Sequence, residues 1–458
     1  MWVVYIDIDS LRPDHLGCYG YGRNTSPNID RLAKQGIRFA RAYTSDSPCM
    51  PSRAALISGT HGITNGVVTH ERSGGPFRDP LSSLPWVLRN QGIPTAAISS
   101  FGRHPAPWFY VGWNEYMDPI DRPSLSFQQI DGQTVADRAL DWMNDHRDLD
   151  DAYLYVQMWD PHAFYEAPES FVEMVKSDHY PAHPTREEFE SHCEDSFWHS
   201  ARGVGLNTYE DWKRMIDEYD AEIRYADYQV GRLLDALTEV KKERDVLVIL
   251  AADHGEEHGE HGVYVEHWSV YNGTQQIPLI VSDSRRTSKG TVHEGLVLQL
   301  DITATICDAL GVTPPSHWDS LSLLSQVDDP TVGRSHIVCG HGLYTAQRTV
   351  ITSEWKFIRT YHPGLWDLPR TQLFGREDVW EQNNVMEEHP DKADYLDRLL
   401  REWEETHRIG MDPMMSNAAK APAGLGYAAP WTEGFRNHTR APLPFVLDQR
   451  KPDPLLTK

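Results

Sequence analysis

Cys49, Pro51, Ser52 and Arg53, in the run SPCMPSRAALISGTHG, put a nucleophilic atom, a turn former, a hydroxyl and a guanidinium within five residues. Ser52 and Arg53 are expected to open a helix that AALISG continues, so Cys49 lies at the positive end of a helix dipole and faces an anion. The plainer alternative is a buried or redox cysteine in a turn. Five more titratable side chains follow runs that read as strands: Asp9 after VVYIDI, His104 after TAAISS, His162 after AYLYVQMW, and Asp253 with His254 after DVLVILAA. In open α/β sheets, ligands bind beyond the carboxyl ends of the strands. Such a convergence points to an enzyme, because titratable groups at strand ends are a poor way to build a core.

The elements that must position these groups alternate in type. The first strand leads through a turn-rich loop to an amphipathic helix from about Pro27 and then another strand. Leu84 to Gln91 reads as a helix ahead of TAAISS, and a long amphipathic helix from Asp211 to Val240 precedes DVLVILAADHG. Strands alternating with helices give an α/β fold, a large mixed and mostly parallel sheet sandwiched by helices. After TPPSHWDSL the pattern changes: RTVITSEWKFIRTY alternates like antiparallel strands and ADYLDRLLREWEETH is an amphipathic helix. A boundary is therefore expected near residue 330, with a catalytic α/β domain over 1–330 and a smaller α+β subdomain over 331–458. From about Ser416 the chain is rich in Ala, Pro and Gly and reads as an extended or partly disordered tail.

At 458 residues the chain has room for one large and one small domain. No apolar run approaches the roughly 20 residues that a membrane span requires, so no membrane partner is expected. The net charge of −24 argues against nucleic acid. It also means that an anionic substrate has to be captured by a local cluster of Arg, Lys, His and metal. Five cysteines, Cys18, Cys49, Cys193, Cys307 and Cys339, are scattered without CxxC spacing, against both a disulfide framework and a zinc knuckle. MWVVYIDIDS passes from Met1 straight into a strand without the features of a signal peptide. The expectation is a cytoplasmic protein, periplasmic or secreted if the N-terminus was trimmed.

Cys49-x-Pro51-x-Arg53 resembles the signature of the type I sulfatases, members of the alkaline-phosphatase-like superfamily, and further matches occur in order along most of the chain. The resemblance implies the fold of that superfamily. It also implies a formylglycine-generating maturase that oxidises Cys49 to 3-oxoalanine (formylglycine), an aldehyde. One hydroxyl of its hydrate attacks sulfur and the other expels sulfate by collapse to the carbonyl. IDSLRPDHLGCYG resembles the first metal loop, with Asp9 as the first carboxylate. Ser10 stands where many members have a second Asp and contributes a hydroxyl or nothing, while Asp7 is assigned a supporting role. AADHGEEHGEHG resembles the second metal loop, with Asp253 and His254 as ligands. Such a donor set suits Ca2+ first, with Mg2+ or Mn2+ as alternatives.

SSFGRHPAPWFYVGWNEY resembles the family's Gly-Lys-x-His segment, with Arg103 in place of lysine and one residue missing before His104. The resemblance implies that Arg103 grips sulfate in bidentate fashion and that His104 is the base that helps to expel it. VQMWDPHAFY implies that His162 binds sulfate and protonates the leaving oxygen, against the view that it is a satisfied turn residue. Arg53 belongs to the catalytic signature. The lysine that the family places after the second metal loop is missing, so either His267 takes the sulfate contact or Lys356 reaches across from the C-terminal part. Trp108, Phe109 and Trp113 read as core, with a sugar-stacking wall as the alternative. Substrate choice is expected to lie in loops such as Arg72 to Pro80 and His179 to Gly205.

These features lead to a sulfuric ester hydrolase acting on a small sulfated carbohydrate. The alternative is a phosphonate monoester or phosphodiester hydrolase of the same superfamily, where a non-Asp at position 10 also occurs. A third reading, a noncatalytic metal-dependent binding protein, leaves Cys49 a thiol.

Overall fold

Trp2–Ile8, apolar everywhere but at Asp7, is buried along its whole length and runs through the middle of an eight-stranded sheet. The computed structural model describes residues 1–70, 77–104, 106–120, 130–194, 201–286, 290–327, 329, 331–364, 368–418 and 450–456. Ala152–Met158 and Val246–Ala252 flank the central strand, both parallel to it. Thr95–Ile98 and then Glu115–Met117 continue the parallel run on one side. On the other side Leu279–Asp283 pairs antiparallel with Val246–Ala252, followed by Ile37–Phe39 and Thr291–His293. The long strands are buried at every position because helices cover the sheet.

Two groups of helices form the layers. Pro27–Gln35 and Gly132–Asp145 pack on the long helix Tyr209–Val240, while Cys49–Ser58, Leu84–Asn90 and Asp301–Ala309 pack on one another. The long helix starts at Tyr209, two residues ahead of the expected Asp211, because Thr208 and Asp211 form a reciprocal capping box. The Cys49 helix likewise starts at Cys49, ahead of the expected Ser52, and the Ser52 N–H donates to Pro48 O at 3.0 Å to close its first turn. All ten of its residues are buried, which fits a helix enclosed by the fold.

The alternating segment after residue 330 forms Ala346–Ile351 and Trp355–His362, antiparallel to each other. They lie in a five-stranded sheet with Ile337–His341 and Thr371–Gly375. Its fifth strand comes from far up the chain: Asp46–Ser47 pairs in parallel with Gly340 and His341. The small sheet is thereby joined to the segment that leads into Cys49. Helix Pro390–His407 covers it with Ala393, Leu396 and Leu400.

The tail departs from its expected start, since Ser416 lies inside a short helix, Pro413–Ala418. Most of it, 419–449, is outside the described residues, as are 71–76 and 195–200 in the two expected specificity loops. Beyond it, Arg450 pairs with Glu218 at 2.7 Å, and Lys451 with Asp160 and Glu222. Trp108, Phe109 and Trp113 are buried in the main core. Among the described residues no helix is long and apolar enough to cross a membrane.

Candidate active site

Asp9 and Asp253 leave the ends of neighbouring parallel strands, and Asp7, two residues before Asp9, shares its face of the sheet. All three converge on one guanidinium. Arg53 Nε donates to Asp7 at 2.9 Å, and Nη1 donates to Asp9 at 2.9 Å and to Asp253 at 2.6 Å. None of these side chains is exposed. Arg53 also lies over the Phe101 ring at 4.7 Å, so an apolar wall backs the charge. Burial raises the Asp9 carboxyl, but Arg53, His162 and His254 outweigh it and hold Asp9 below its usual range. Asp253 goes the other way: burial pushes it well up despite Arg53, with Asp9 and Asp7 adding.

Ser10 does not act as a stand-in carboxylate. Its hydroxyl donates to Asp9 at 2.9 Å and its N–H to Asp253 Oδ1 at 3.2 Å, so it orients both. It holds a left-handed backbone, φ 58°, and Tyr219 OH donates to its carbonyl at 2.7 Å. Such strain persists only where the surroundings enforce it. Arg12 clamps the two loops together by donating to Glu256 O at 2.9 Å and Glu260 Oε1 at 2.5 Å.

Cys49, the first residue of its helix, is buried with Sγ 3.1 Å from His254 Nε2. The His254 tautomer follows from its other nitrogen. Nδ1 must donate to Gly255 O at 2.7 Å, since a carbonyl only accepts, and Nε2 is left with its lone pair toward Cys49. Burial pushes His254 down to about 4 and His104 to about 3, in both cases against Asp9, so both rings are neutral at neutral pH. Burial, Asp9 and Asp253 push the Cys49 thiol well above its ordinary range. Ser52 Oγ donates to Asp253 O at 2.8 Å and ties the Cys49 helix to the second loop.

His267 joins this group, its ring 4.2 Å from His254 and 5.9 Å from that of His162. His162 is half-buried and its Nδ1 donates to Ala163 O at 2.6 Å. Two expected anion contacts are not brought in. The turn Phe101–Arg103 buries Phe101 and Gly102 and directs Arg103 outward, where Nε binds Asp118 with the side chain 45% exposed. Lys356 Nζ is taken up by Glu381 at 2.5 Å and Asn272 at 2.9 Å.

Two histidines that sequence reasoning passed over stand here instead. His70 Nε2 accepts the Met50 N–H at 3.3 Å and its ring is 4.4 Å from His104. His341, from the small sheet, accepts the Ser47 hydroxyl on Nδ1 at 2.8 Å and donates to Leu343 O. The histidine that ends the apolar run IVCGH was the signal available for His341. For His70, in a loop of mixed residues, there was none.

Asp9, Cys49, Asp253 and His254 each offer a donor atom, all within 4.8 Å of one another and all buried. Three carboxylates share one guanidinium, and burial raises Asp7 and Asp253 because that single cation does not offset them; a further cation would relieve the same charge. Two carboxylates and one imidazole fit a divalent metal.

A family model described as sulfatase matches residues 2–312. An arylsulfatase of Clostridium perfringens is similar, 23% identical over 87% of this chain and 93% of its own length. A solved structure described as a complex with its substrate D-glucosamine-2-N,6-O-disulfate superposes with a TM-score of 0.73 at 18% identity, covering 90% of this chain and 99% of that one. The phosphonate monoester hydrolase of Agrobacterium radiobacter gives 0.72 at 19% identity, covering 91% and 97%. These likenesses show a shared fold.

Proposed function

The chain belongs to the sulfatase family, and from that premise we propose that it hydrolyses the sulfate ester of a small sulfated carbohydrate, using Cys49 matured to 3-oxoalanine and a divalent cation held by Asp9, Asp253 and His254. Ca2+ is the first choice of ion, and Ser10 orients the two carboxylates. The observation that carries the reading is the position of Cys49, buried at the start of its helix with Sγ 3.1 Å from His254 Nε2. A thiol there, its pKa pushed up, is a weak nucleophile, since cysteine nucleophiles need a lowered one. The aldehyde hydrate supplies one hydroxyl to attack and one to expel sulfate, and the cation supplies positive charge to a sulfate oxygen.

The rest falls to the chain's own residues. Arg53 holds Asp9 and Asp253 in place and keeps a buried Nη2 without a partner, a donor for a sulfate oxygen. His104, neutral and next to His70, accepts the proton released as sulfate departs. A bound sulfate anion raises its proton affinity, as Asp9 already does. His162 delivers a proton from Nε2 to the leaving oxygen, which an alcohol needs far more than a phenol does. Of the two candidates for the missing lysine's sulfate contact, His267, with a buried Nδ1 that lacks a partner, takes it in place of Lys356.

A division near residue 330 goes with this reading, because the small sheet supplies His341 and braces Ser47. Maturation requires a formylglycine-generating enzyme as partner, and the free cysteines fit a reducing, cytoplasmic compartment. Disulfated glucosamine, the substrate of the fold relative, is the first sugar to try. The phosphorus alternative is favoured by Ser10 in place of a second carboxylate and by the likeness to a phosphonate monoester hydrolase. Rates on a sulfate monoester and a phosphonate monoester sharing 4-nitrophenol as leaving group decide between them. Faster sulfate release is expected, and a phosphonate preference of about 100-fold, on the order of 3 kcal/mol, replaces this reading with the alternative.

A further inference from the structure

His61, Asp319 and His407 come from three separate parts of the chain, and each offers a donor atom within 4.8 Å of the others. His61 follows the C-terminal end of the Cys49–Ser58 helix, Asp319 lies in the connection to the small sheet, and His407 ends the helix Pro390–His407. The ten residues of the first helix put this cluster about 15 Å beyond Cys49 at 1.5 Å per residue.

Each side chain is already oriented by a bond on its far side. His407 Nδ1 donates to Trp403 O at 2.8 Å, which directs Nε2 toward Asp319 Oδ1, 3.7 Å away. Asp319 Oδ2 accepts the backbone N–H of His61 at 3.1 Å, and the Asp319 N–H donates to Gly59 O at 2.8 Å. Such outer bonds to metal-binding histidines fix both tautomer and ring direction. Trp403 stacks on His407 at 4.8 Å and meets His61 edge-on at 4.9 Å.

The second observation is an unmet buried atom. His61 is 3% exposed, and its Nδ1 has no hydrogen-bond partner; the nearest carboxylate oxygen, on Asp46, is 4.0 Å away. A buried imidazole nitrogen left without a partner calls for an explanation. The neighbouring cations are engaged elsewhere, Arg334 with Asp301 at 2.5 Å and Arg348 with Asp412 at 2.6 Å. Burial raises both Asp46, to about 7, and Asp319, so neither carboxyl has a full counter-charge here.

We propose that His61, Asp319 and His407 form a zinc site that clips the end of the Cys49 helix to the C-terminal helix. Two imidazoles and one carboxylate are zinc chemistry and unlike the oxygen-rich donor set of the active site. Asp319 and His407 side chains are each about one-fifth exposed, so water completes the coordination. Tetrahedral zinc brings its donors to about 3.3 Å from one another, and His407, in a last helical turn, is placed to close that gap. The site is independent of the reaction assigned to Cys49.

The test is a zinc titration of the full chain in excess Ca2+, comparing wild type, Cys49→Ala, His407→Ala and His407→Gln. One zinc equivalent is expected in wild type and in Cys49→Ala, with an accompanying rise in melting temperature. Both His407 variants are expected to bind that equivalent about 100-fold more weakly or not at all, to melt at a temperature indifferent to zinc, and to keep sulfate-ester turnover within about twofold. Zinc uptake unchanged in the two His407 variants, uptake lost in Cys49→Ala, or no uptake by wild type overturns the proposal.

Discussion

Two buried clusters in this protein each set several carboxylates around one cation, and they behave as opposites. Around Arg53 stand Asp7, Asp9 and Asp253, all unexposed. Around Lys451 stand Asp160 and Glu222, with Lys451 itself 9% exposed. Both lie at carboxyl ends of strands of the same sheet. The Arg53 cluster, however, is bordered by Cys49, His254 and His104, whereas the Lys451 cluster is closed by the Tyr225 ring and the Glu166 backbone. A buried cluster of carboxylates around one cation is thus not by itself a candidate site. Soft and imidazole donors within ligand distance of the carboxylates, at the start of a helix, make the difference. The Lys451 cluster is a latch that holds a returning piece of chain against the loop that carries His162.

The comparison breaks first at Cys49. Cys49→Ala is expected to lower sulfate-ester turnover by about four orders of magnitude or more while the fold and the latch persist, read from turnover and a thermal melt. An active variant would end the distinction. At His162 the expected effect depends on the leaving group: His162→Ala loses about 100- to 10,000-fold on an alkyl sulfate and less than about tenfold on 4-nitrophenyl sulfate. Equal losses on both would show a binding role in place of acid catalysis.

The latch is sharpened by Lys451→Met, which leaves two carboxylates facing each other in the interior. Removing one partner of a buried pair costs about 3–5 kcal/mol, so denaturant unfolding is expected to shift by that order, with Lys451→Arg recovering part of it. Turnover per folded molecule should then fall far less than at Cys49. The smallest expected effect is a pH slope. Burial, with Asp160 adding and Lys451 opposing, raises Glu222 to about 8 from 4.5. A carboxyl raised on folding stabilises fully below its unfolded value and loses that contribution as pH rises through the folded one. Stability should therefore decline between about pH 4.5 and 8, and Glu222→Gln should flatten the decline in melts across that range.

The framework was legible because its elements are strongly patterned. VVYIDI, AYLYVQMW and VLVILAA are runs apolar but for Asp7 and Gln157, each followed by an Asp, and buried parallel strands require little else. The site was legible where a side chain follows directly from a strand end, as at Asp9, Asp253 and His254. It was obscured where packing turns a residue. Arg103 faces outward because Phe101 and Gly102 are buried ahead of it in one tight turn, and Lys356 is spent on Glu381, a partner 25 residues further along the chain. His70 and His341 enter through tertiary contacts alone, the second through a pairing of Ser47 with a strand almost 300 residues later. No local periodicity encodes such meetings.

The central claim is that Cys49 works as an aldehyde made from a thiol. It is tested most directly by following sulfate-ester hydrolysis alongside the mass of the peptide spanning Cys49, in preparations made with and without a formylglycine-generating enzyme. The account predicts activity in proportion to the fraction of peptide lighter by about 18 Da, the change from thiol to aldehyde. Full activity in protein whose Cys49 peptide keeps its unmodified mass would contradict it.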